Sequence, residues 1–176
     1  MQTERVILYT DGSCYPNPGP GGWGAALVAP GSDPERPVLG LSGPLQGATN
    51  NTAEILAATR ALEVLKGRYK VLVVTDSLYV AGPYMDGRIL ERRERFWQDH
   101  CGADILNAEF FRELDIQVRR HEVQFHWVKG HEGNPGNEFV DFLAGDARKT
   151  QRGQRISTTW AEVVEKYSIS PKKRKA

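Results

Sequence analysis

The sequence predicts an α/β fold with a five-stranded mixed sheet and helices on both faces. Two observations support this prediction. Three strand-like segments near the N-terminus are separated by Gly- and Pro-rich connections, which is typical of neighbouring antiparallel strands. Helical and strand-like periodicities then alternate along the chain, which favours parallel strands joined by helices. A chain of 176 residues, 40% of them hydrophobic, is long enough to bury one core.

The first half of the chain supplies four of the predicted strands and one helix. Residues 5–10, 22–29 and 38–43 read as three antiparallel strands. Residues 51–65 place apolar side chains at helical spacing, so a helix is expected there, ending near Gly67. The run VLVVT at 71–75 is apolar without alternation, which indicates a strand covered on both faces.

The second half is predicted to be mainly helical. Residues 77–120 read as helix interrupted at Pro83 and Gly87, and the composition of 122–128 indicates a fifth strand. A helix is expected at 135–149 with Asn134 as its N-cap. A capping box in which Thr159 is the N-cap predicts one more short helix.

Charge is distributed unevenly along the chain, although the net charge is only +1. Residues 148–176 carry nine Lys and Arg against two Glu, whereas the rest has 14 basic and 20 acidic residues. The sequence therefore divides into a domain at 1–150 and a basic extension at 151–176, which has a short helix and a disordered tail. The tail has two open interpretations, a solvated end or a segment that holds phosphates. On the second, deleting 170–176 weakens nucleic-acid affinity and its salt dependence. The terminal PKKRK is also open to interpretation as a nuclear import signal.

Several other classes of protein are disfavoured by sequence pattern. No long apolar run or secretory signal is present, so we expect a cytoplasmic protein with no membrane partner. The two cysteines, Cys14 and Cys101, have neither disulfide-framework nor metal-ligand spacing. The glycines at 19–24 match a dinucleotide fingerprint, but a strand follows them instead of the helix that a pyrophosphate requires.

Four acidic residues are predicted to converge at one edge of the sheet. Asp11 and Asp76 end two strands whose carboxyl ends meet if the strands are parallel. Glu54 lies at the start of the helix that feeds the second of these strands, and Asp141 lies in the second turn of the helix after the fifth strand. The loop before that helix brings His131 to the same edge.

Each of these residues has an ordinary structural interpretation as a turn, cap or surface residue, but the set of four does not. Clustered carboxylates repel one another unless cations occupy the cluster. All-oxygen ligands favour Mg²⁺, with Mn²⁺ as the alternative, and two ions balance four negative charges. A pair of such ions can activate water for phosphodiester hydrolysis. His131 is open to interpretation as a solvated loop residue or as a proton shuttle.

Four stretches of the chain resemble the type 1 ribonuclease H family over about residues 4–148. They are YTDGSCYPNPGPGGWG, ATNNTAE, VTDSLYV and WVKGHEGNPGNEFVDFLA. The resemblance implies a ribonuclease H-like fold and a two-metal endonuclease that hydrolyses the RNA strand of an RNA/DNA hybrid, leaving 5′-phosphate and 3′-hydroxyl ends. It implies that the metal-binding carboxylates are Asp11, Glu54, Asp76 and Asp141, and that His131 is the mobile catalytic histidine. We expect the protein to be a monomer.

The same resemblance implies a set of substrate-binding residues. Four would face the minor groove and one would hold a DNA-strand phosphate, namely Cys14, Asn17, Asn50 and Asn51 for the groove and Thr49 for the phosphate. Amide side chains suit this role because they hydrogen-bond 2′-hydroxyls and base edges. Asn51 is equally well interpreted as a helix N-cap.

The chain departs from the family pattern in two places, and two other functions remain open. Leu78 replaces a polar residue that often follows the Asp-Ser pair, and the basic protrusion at 88–97 is diluted by acidic residues. One alternative is a DNA-cutting nuclease of the same fold group, such as a resolvase or integrase-like enzyme. The other is a hybrid-binding module without catalysis, which the complete set of four acids disfavours.

Overall fold

The computed structural model describes residues 5–168, which form one six-stranded sheet and six helices. In chain order the elements are β1 (Arg5–Cys14), β2 (Gly19–Val28), β3 (Pro37–Ala48), α1 (Asn50–Glu63), β4 (Lys70–Thr75), α2 (Leu78–Met85), α3 (Arg88–Glu94), α4 (Ala108–Arg120), β5 (Glu122–Trp127), α5 (Pro135–Thr150), β6 (Gln154–Thr159) and α6 (Trp160–Tyr167). None of the helices in this part of the chain is long and apolar enough to cross a membrane.

The sheet has the strand order β5-β4-β1-β2-β3-β6. Strands β1, β2 and β3 are antiparallel neighbours, and β4 and β5 run parallel to β1, so the predicted mixed arrangement is confirmed. The register pairs Tyr9 with Val74 and Thr75 with Trp127, which brings the carboxyl ends of all three parallel strands to one edge.

The predicted strand count was wrong by one, because β6 adds a sixth strand next to β3. It pairs antiparallel to β3, with Pro37 opposite Thr159 and Ser42 opposite Gln154. The sequence QRISTT carries a single large apolar side chain, Ile156, because an edge strand buries little of its surface. Residues 154–159 therefore belong to the sheet and α6 packs on the core beside it, whereas the PKKRK string and the rest of the predicted tail fall outside the described residues.

Helices cover both faces of the sheet, as predicted. On one face, α1 and α4 contribute to a core that includes Leu8, Leu62, Val73 and Phe111. On the other face, α5 and α6 pack a second core; its members include Phe139, Val140, Leu143 and Val163. The sheet is consequently covered by helices on both faces at β1 and β2.

Two glycines allow the helices to approach the centre of the sheet closely. A Cβ at Gly12 would overlap the backbone of α1 at Ala53 and Glu54, and a Cβ at Gly24 would overlap the α5 backbone at Val140. Gly24 of β2 is the residue paired with Asp11 of β1. The absence of side chains at both glycines thus sets how close α1 and α5 come to this acid.

The helix boundaries correct two details of the sequence analysis. Helix α1 begins at Asn50, with Thr49 as its N-cap in a reciprocal capping box with Thr52, so Asn51 is not the N-cap and Glu54 falls just beyond the first turn. Residues 77–120 divide into three helices. Pro83 lies buried inside α2 and does not end it, whereas Gly87, with φ +83°, separates α2 from α3.

Candidate active site

Three of the four predicted acids come together at the carboxyl edge of the sheet. Asp11 lies near the end of β1, Asp76 directly follows β4, and Glu54 reaches the edge from α1. One carboxylate oxygen of each lies within 4.8 Å of those of the other two. Within residues 5–168, none of the three forms an ion pair with Lys or Arg. The cluster is therefore not neutralised by the protein itself.

Burial and mutual repulsion make this cluster costly to ionise. Asp11 is 6% exposed, and its Oδ1 accepts a hydrogen bond of 2.8 Å from the Gly12 N–H. Burial, followed by the charges of Glu54 and Asp76, raises the pKa of Asp11 well above its usual range. Burial likewise raises the pKa of Glu54 to about 8, although its hydrogen bond to Asp11 opposes the shift. The Oε2 atom of Glu54 is buried and has no hydrogen-bond partner among the described residues.

Asp76 is held from two sides. The Nδ2 of Asn137 donates a 3.2 Å hydrogen bond to its Oδ2, and the indole of Trp127 donates one of 2.8 Å to its backbone carbonyl. A Cβ at Gly130 would overlap Oδ2 of Asp76, so a larger residue at this point of the loop would displace the carboxylate. These contacts from β5, α5 and the intervening loop fix the direction in which Asp76 points.

Asp141 belongs to a second group of ligand-type side chains, together with His131 and Glu138. One ligand atom of each lies within 4.8 Å of the other two, and Nδ1 of His131 is 3.9 Å from Oδ2 of Asp141. The two groups are electrostatically linked, because the charge of Asp141 contributes to the raised pKa of Asp11. The structure thus brings all five predicted residues to one edge, in two adjoining groups.

The loop that carries His131 is anchored at its far end and exposed at the histidine. The side chain of His131 is 50% exposed and its backbone has φ +59°, in the left-handed region. The N–H of Gly133 donates a 3.4 Å hydrogen bond to Oε1 of Glu138, and Asn134 caps α5 by accepting from the N–H of Asn137. The predicted N-cap of α5 is therefore confirmed, and the imidazole projects from an anchored loop.

Sequence reasoning missed two buried polar residues that organise this edge, Asn137 and Glu138. They are 1% and 3% exposed, and each has a buried side-chain oxygen without a partner among the described residues, Asn137 Oδ1 and Glu138 Oε2. A signal was available: both occupy the first turn of a helix whose later turns supply an apolar face, where buried polar groups need a specific partner.

The predicted substrate residues form a small network beside the start of α1. Oδ1 of Asn17 accepts from the N–H of Asn50, and Oδ1 of Asn50 accepts from the N–H of Cys14, at 3.3 and 3.1 Å. Asn17, Asn50 and Asn51 are exposed. The side chain of Cys14 is buried, with its thiol donating to the Ala48 carbonyl, and the Thr49 hydroxyl accepts from the N–H of Thr52.

Arginines of the predicted basic protrusion are largely paired with acids. Arg93 forms a 2.6 Å ion pair with Asp115, whose side chain is 7% exposed. The other pairs are Arg88 with Asp86 and Arg95 with Glu91. Arg92 lies over the ring of Phe111. Little positive charge is therefore left on this segment, in agreement with the dilution expected from its sequence. Leu78 is 56% exposed at the start of α2.

Comparisons with known proteins agree with this arrangement. The family model for RNase H matches residues 3–149. A ribonuclease H from Stutzerimonas stutzeri is 45% identical over 144 residues, covering 82% of this chain and 91% of that protein. One from Dinoroseobacter shibae is 46% identical over 140 residues, covering 80% and 88%. The crystal structure of LC9-RNase H1, a type 1 RNase H with the type 2 active-site motif, superposes with a TM-score of 0.79 at 25% identity, covering 96% of this chain and 87% of that chain.

Proposed function

Because this chain belongs to the RNase H family, we propose that its four clustered carboxylates support endonucleolytic hydrolysis of the RNA strand in RNA/DNA hybrids. The observation that carries the proposal is the meeting of Asp11, Glu54 and Asp76 within 4.8 Å, without a basic partner among the described residues. A protein that only bound nucleic acid would gain nothing from carboxylates that repel a polyanion. Metal dependence follows from the same cluster.

The residues present fit a pair of hard dications. Their ligand atoms are carboxylate oxygens, and Glu54 offers a buried oxygen with no partner among the described residues. Asp11, Glu54 and Asp76 would hold one ion, with Asp141 completing the set for a second. Bound dications activate a water and stabilise the leaving oxygen of the phosphodiester. We propose Mg²⁺ as the ion, with Mn²⁺ as the alternative.

His131 is proposed to move a proton during product formation. Its imidazole lies on an exposed loop, and Nδ1 is 3.9 Å from the Asp141 carboxylate. An exposed imidazole beside a carboxylate suits a group that accepts a proton and passes it on. Glu138 holds the other end of the loop through the N–H of Gly133. The products would carry 5′-phosphate and 3′-hydroxyl ends.

The asparagine network suits recognition of a hybrid minor groove. Backbone N–H groups fix the amide oxygens of Asn17 and Asn50, so the Nδ2 groups of both residues stay available as donors. Minor-groove base edges present acceptors, and 2′-hydroxyls accept as well. Asn51 adds a third exposed amide. Cys14 and Thr49 remain part of the proposed interface, Cys14 beneath Asn50 and Thr49 near a DNA-strand phosphate.

Cleavage by Asp11→Asn tests the proposed function. We expect this variant to cut a labelled RNA/DNA hybrid in Mg²⁺ more than about 100-fold more slowly than the wild type. The matched control is Asp33→Asn, which removes an exposed loop acid and should cut normally. An undiminished rate for Asp11→Asn would refute the metal-binding role.

Substrate choice distinguishes the alternative nuclease. The wild type should cut the hybrid in preference to DNA and RNA duplexes of the same sequence. The asparagine donors are expected to recognise a duplex with 2′-hydroxyls on one strand only, whereas a DNA duplex has none and an RNA duplex has them on both strands. Equal cutting of the DNA duplex would favour the resolvase-like or integrase-like reading. A cytoplasmic location and a monomeric state complete the proposal, and sedimentation of the purified protein tests the latter.

A further inference from the structure

One arginine at the far end of α5 has no acidic partner in the described part of the chain, although its side chain is held by two contacts. Arg148 donates a 3.0 Å hydrogen bond from Nε to Oγ of Ser13, and its guanidinium carbon lies 5.9 Å from the ring centroid of Tyr15. Within residues 5–168 it forms no ion pair, and Nε is the one atom of its guanidinium that makes a hydrogen bond there. This differs from Arg93, which is neutralised by Asp115.

Tyr15 is an unusual companion for such an arginine. This residue is 74% exposed, whereas tyrosines are of intermediate burial in most proteins. It lies in the same loop as Asn17, which belongs to the asparagine network. We call Ser13, Tyr15 and Arg148 the Arg148 clamp. The clamp therefore continues the proposed substrate surface from the asparagines towards the end of α5.

The geometry relates the clamp directly to the carboxylates. Asp11 and Ser13 lie on the same face of β1, because alternate residues of a strand share a face. Asp141 and Arg148 are seven residues apart on α5, which is two turns, so they lie on one face of that helix, about 10 Å apart along its axis. A nucleic-acid strand has one phosphate per ~3.4 Å of duplex axis. With the duplex axis along α5, two or three phosphates span the distance from the carboxylates to Arg148.

We propose that the Arg148 clamp binds a phosphate of the cleaved strand, two or three positions from the scissile one. Arg148 donates to this phosphate through its Nη groups, and Ser13 and Tyr15 hold the guanidinium in place. The proposal rests on the proposed function. Arg88, Arg93 and Arg95 are each paired with an acid and so have less charge to offer a phosphate than Arg148 has. The exposed Lys149 and Arg152 lie next to the clamp and add positive potential.

Binding without cleavage gives the first test, in an Asp11→Asn background with a short RNA/DNA hybrid. We expect Arg148→Ala to weaken binding about three- to tenfold at 0.1 M salt and to reduce the slope of log affinity against log salt by about one. Arg119→Ala is the matched control, since it removes an exposed charge from α4 and should leave that slope unchanged. Wild-type affinity and slope for Arg148→Ala would overturn the proposal.

Replacing single phosphates of the hybrid by an uncharged analogue locates the phosphate that Arg148 contacts. Methylphosphonates are placed singly at the second and third phosphates on each side of a unique cleavage site. One of these substitutions should lower the affinity of the protein that has Arg148. The same substitution should leave the affinity of the Arg148→Ala variant unchanged. Equal losses in both proteins at every position would refute the contact. The Arg148→Lys variant retains the charge, so its affinity for the hybrid should lie between those of the Arg148 protein and the Arg148→Ala variant. It provides the same comparison if the alanine variant fails to fold.

Cleavage by otherwise wild-type protein separates this inference from the function on which it rests. If the wild type leaves the hybrid uncut, the proposed function fails whatever the clamp does. If the wild type cuts and Arg148→Ala cuts with the same KM and salt dependence, only the clamp is refuted. We expect Arg148→Ala to raise KM with kcat nearly unchanged, because Arg148 touches no reacting atom.

Discussion

Replacing Glu54 by glutamine should stabilise the metal-free protein at high pH. The folded state raises the pKa of Glu54 from 4.5 to about 8, mainly through burial. The protonated Glu54 side chain therefore contributes to the free energy of unfolding. This contribution is fully present below pH ~4.5 and is lost as pH rises through 8. Since one pKa unit corresponds to ~1.4 kcal/mol, the shift limits the cost of ionisation to about 5 kcal/mol. Gln carries no charge, and we expect it to recover about half of that cost at pH 9.

The measurement is thermal unfolding followed by circular dichroism in EDTA, at pH 5 and at pH 9. Recovery of 2–3 kcal/mol raises Tm by about 5–10 °C for a domain of this size. The gain in Tm should nearly vanish at pH 5, where Glu54 is protonated in the folded protein. Saturating Mg²⁺ should stabilise the wild type more than the variant, because only the wild type has the Glu54 carboxylate as a ligand. Glu63→Gln is the control, because this acid lies on the same helix but is 35% exposed and paired with Arg60. A gain of equal size at both pH values, or none at pH 9, would refute the reasoning.

Three further changes test the packing around the site. Asp115→Asn should lower the free energy of unfolding by about 3 kcal/mol in urea, because it leaves Arg93 without its buried partner, while Asp104→Asn in an exposed pair should change it by less than about 1 kcal/mol. Gly12→Ala should cost about 3 kcal/mol in the same assay, because the added methyl overlaps the α1 backbone; wild-type stability would contradict the close approach. Deleting residues 154–176 tests the predicted domain division: because Val163 and Tyr167 are buried, we expect a lower Tm, whereas an unchanged Tm would make 1–150 an independent domain.

The convergence of the acids was accessible from sequence because it depends on topology. A strand that ends in Asp can be recognised from its apolar run, and parallel strands must end at the same edge. Asp11 and Asp76 therefore needed no knowledge of side-chain packing. The position of Glu54 was also predictable to within a turn, since a helix that feeds a strand must start over that edge.

Other features depend on contacts that periodicity does not record. Strand β6 is polar along most of its length, so its pairing with β3 is set by backbone hydrogen bonds and by the position of α6. Thr49 replaced Asn51 as the cap because Thr52 completes a reciprocal pair, a variant of the capping box that uses a hydroxyl in place of a carboxylate. The link from Asn137 to Asp76 joins residues that lie far apart in sequence, and no local pattern predicts it.

The glycines that bring α1 and α5 against the sheet also limit how the metal-free enzyme can relax. With helix backbone packed directly on β1 and β2, Asp11 and Glu54 cannot be drawn apart by a small backbone shift. Repulsion between the two carboxylates is then relieved in the metal-free protein by protonation, as their raised pKa values indicate, and in the loaded protein by the cation. Ion capture at this edge should consequently proceed in a preformed cavity, without rearrangement of the main chain.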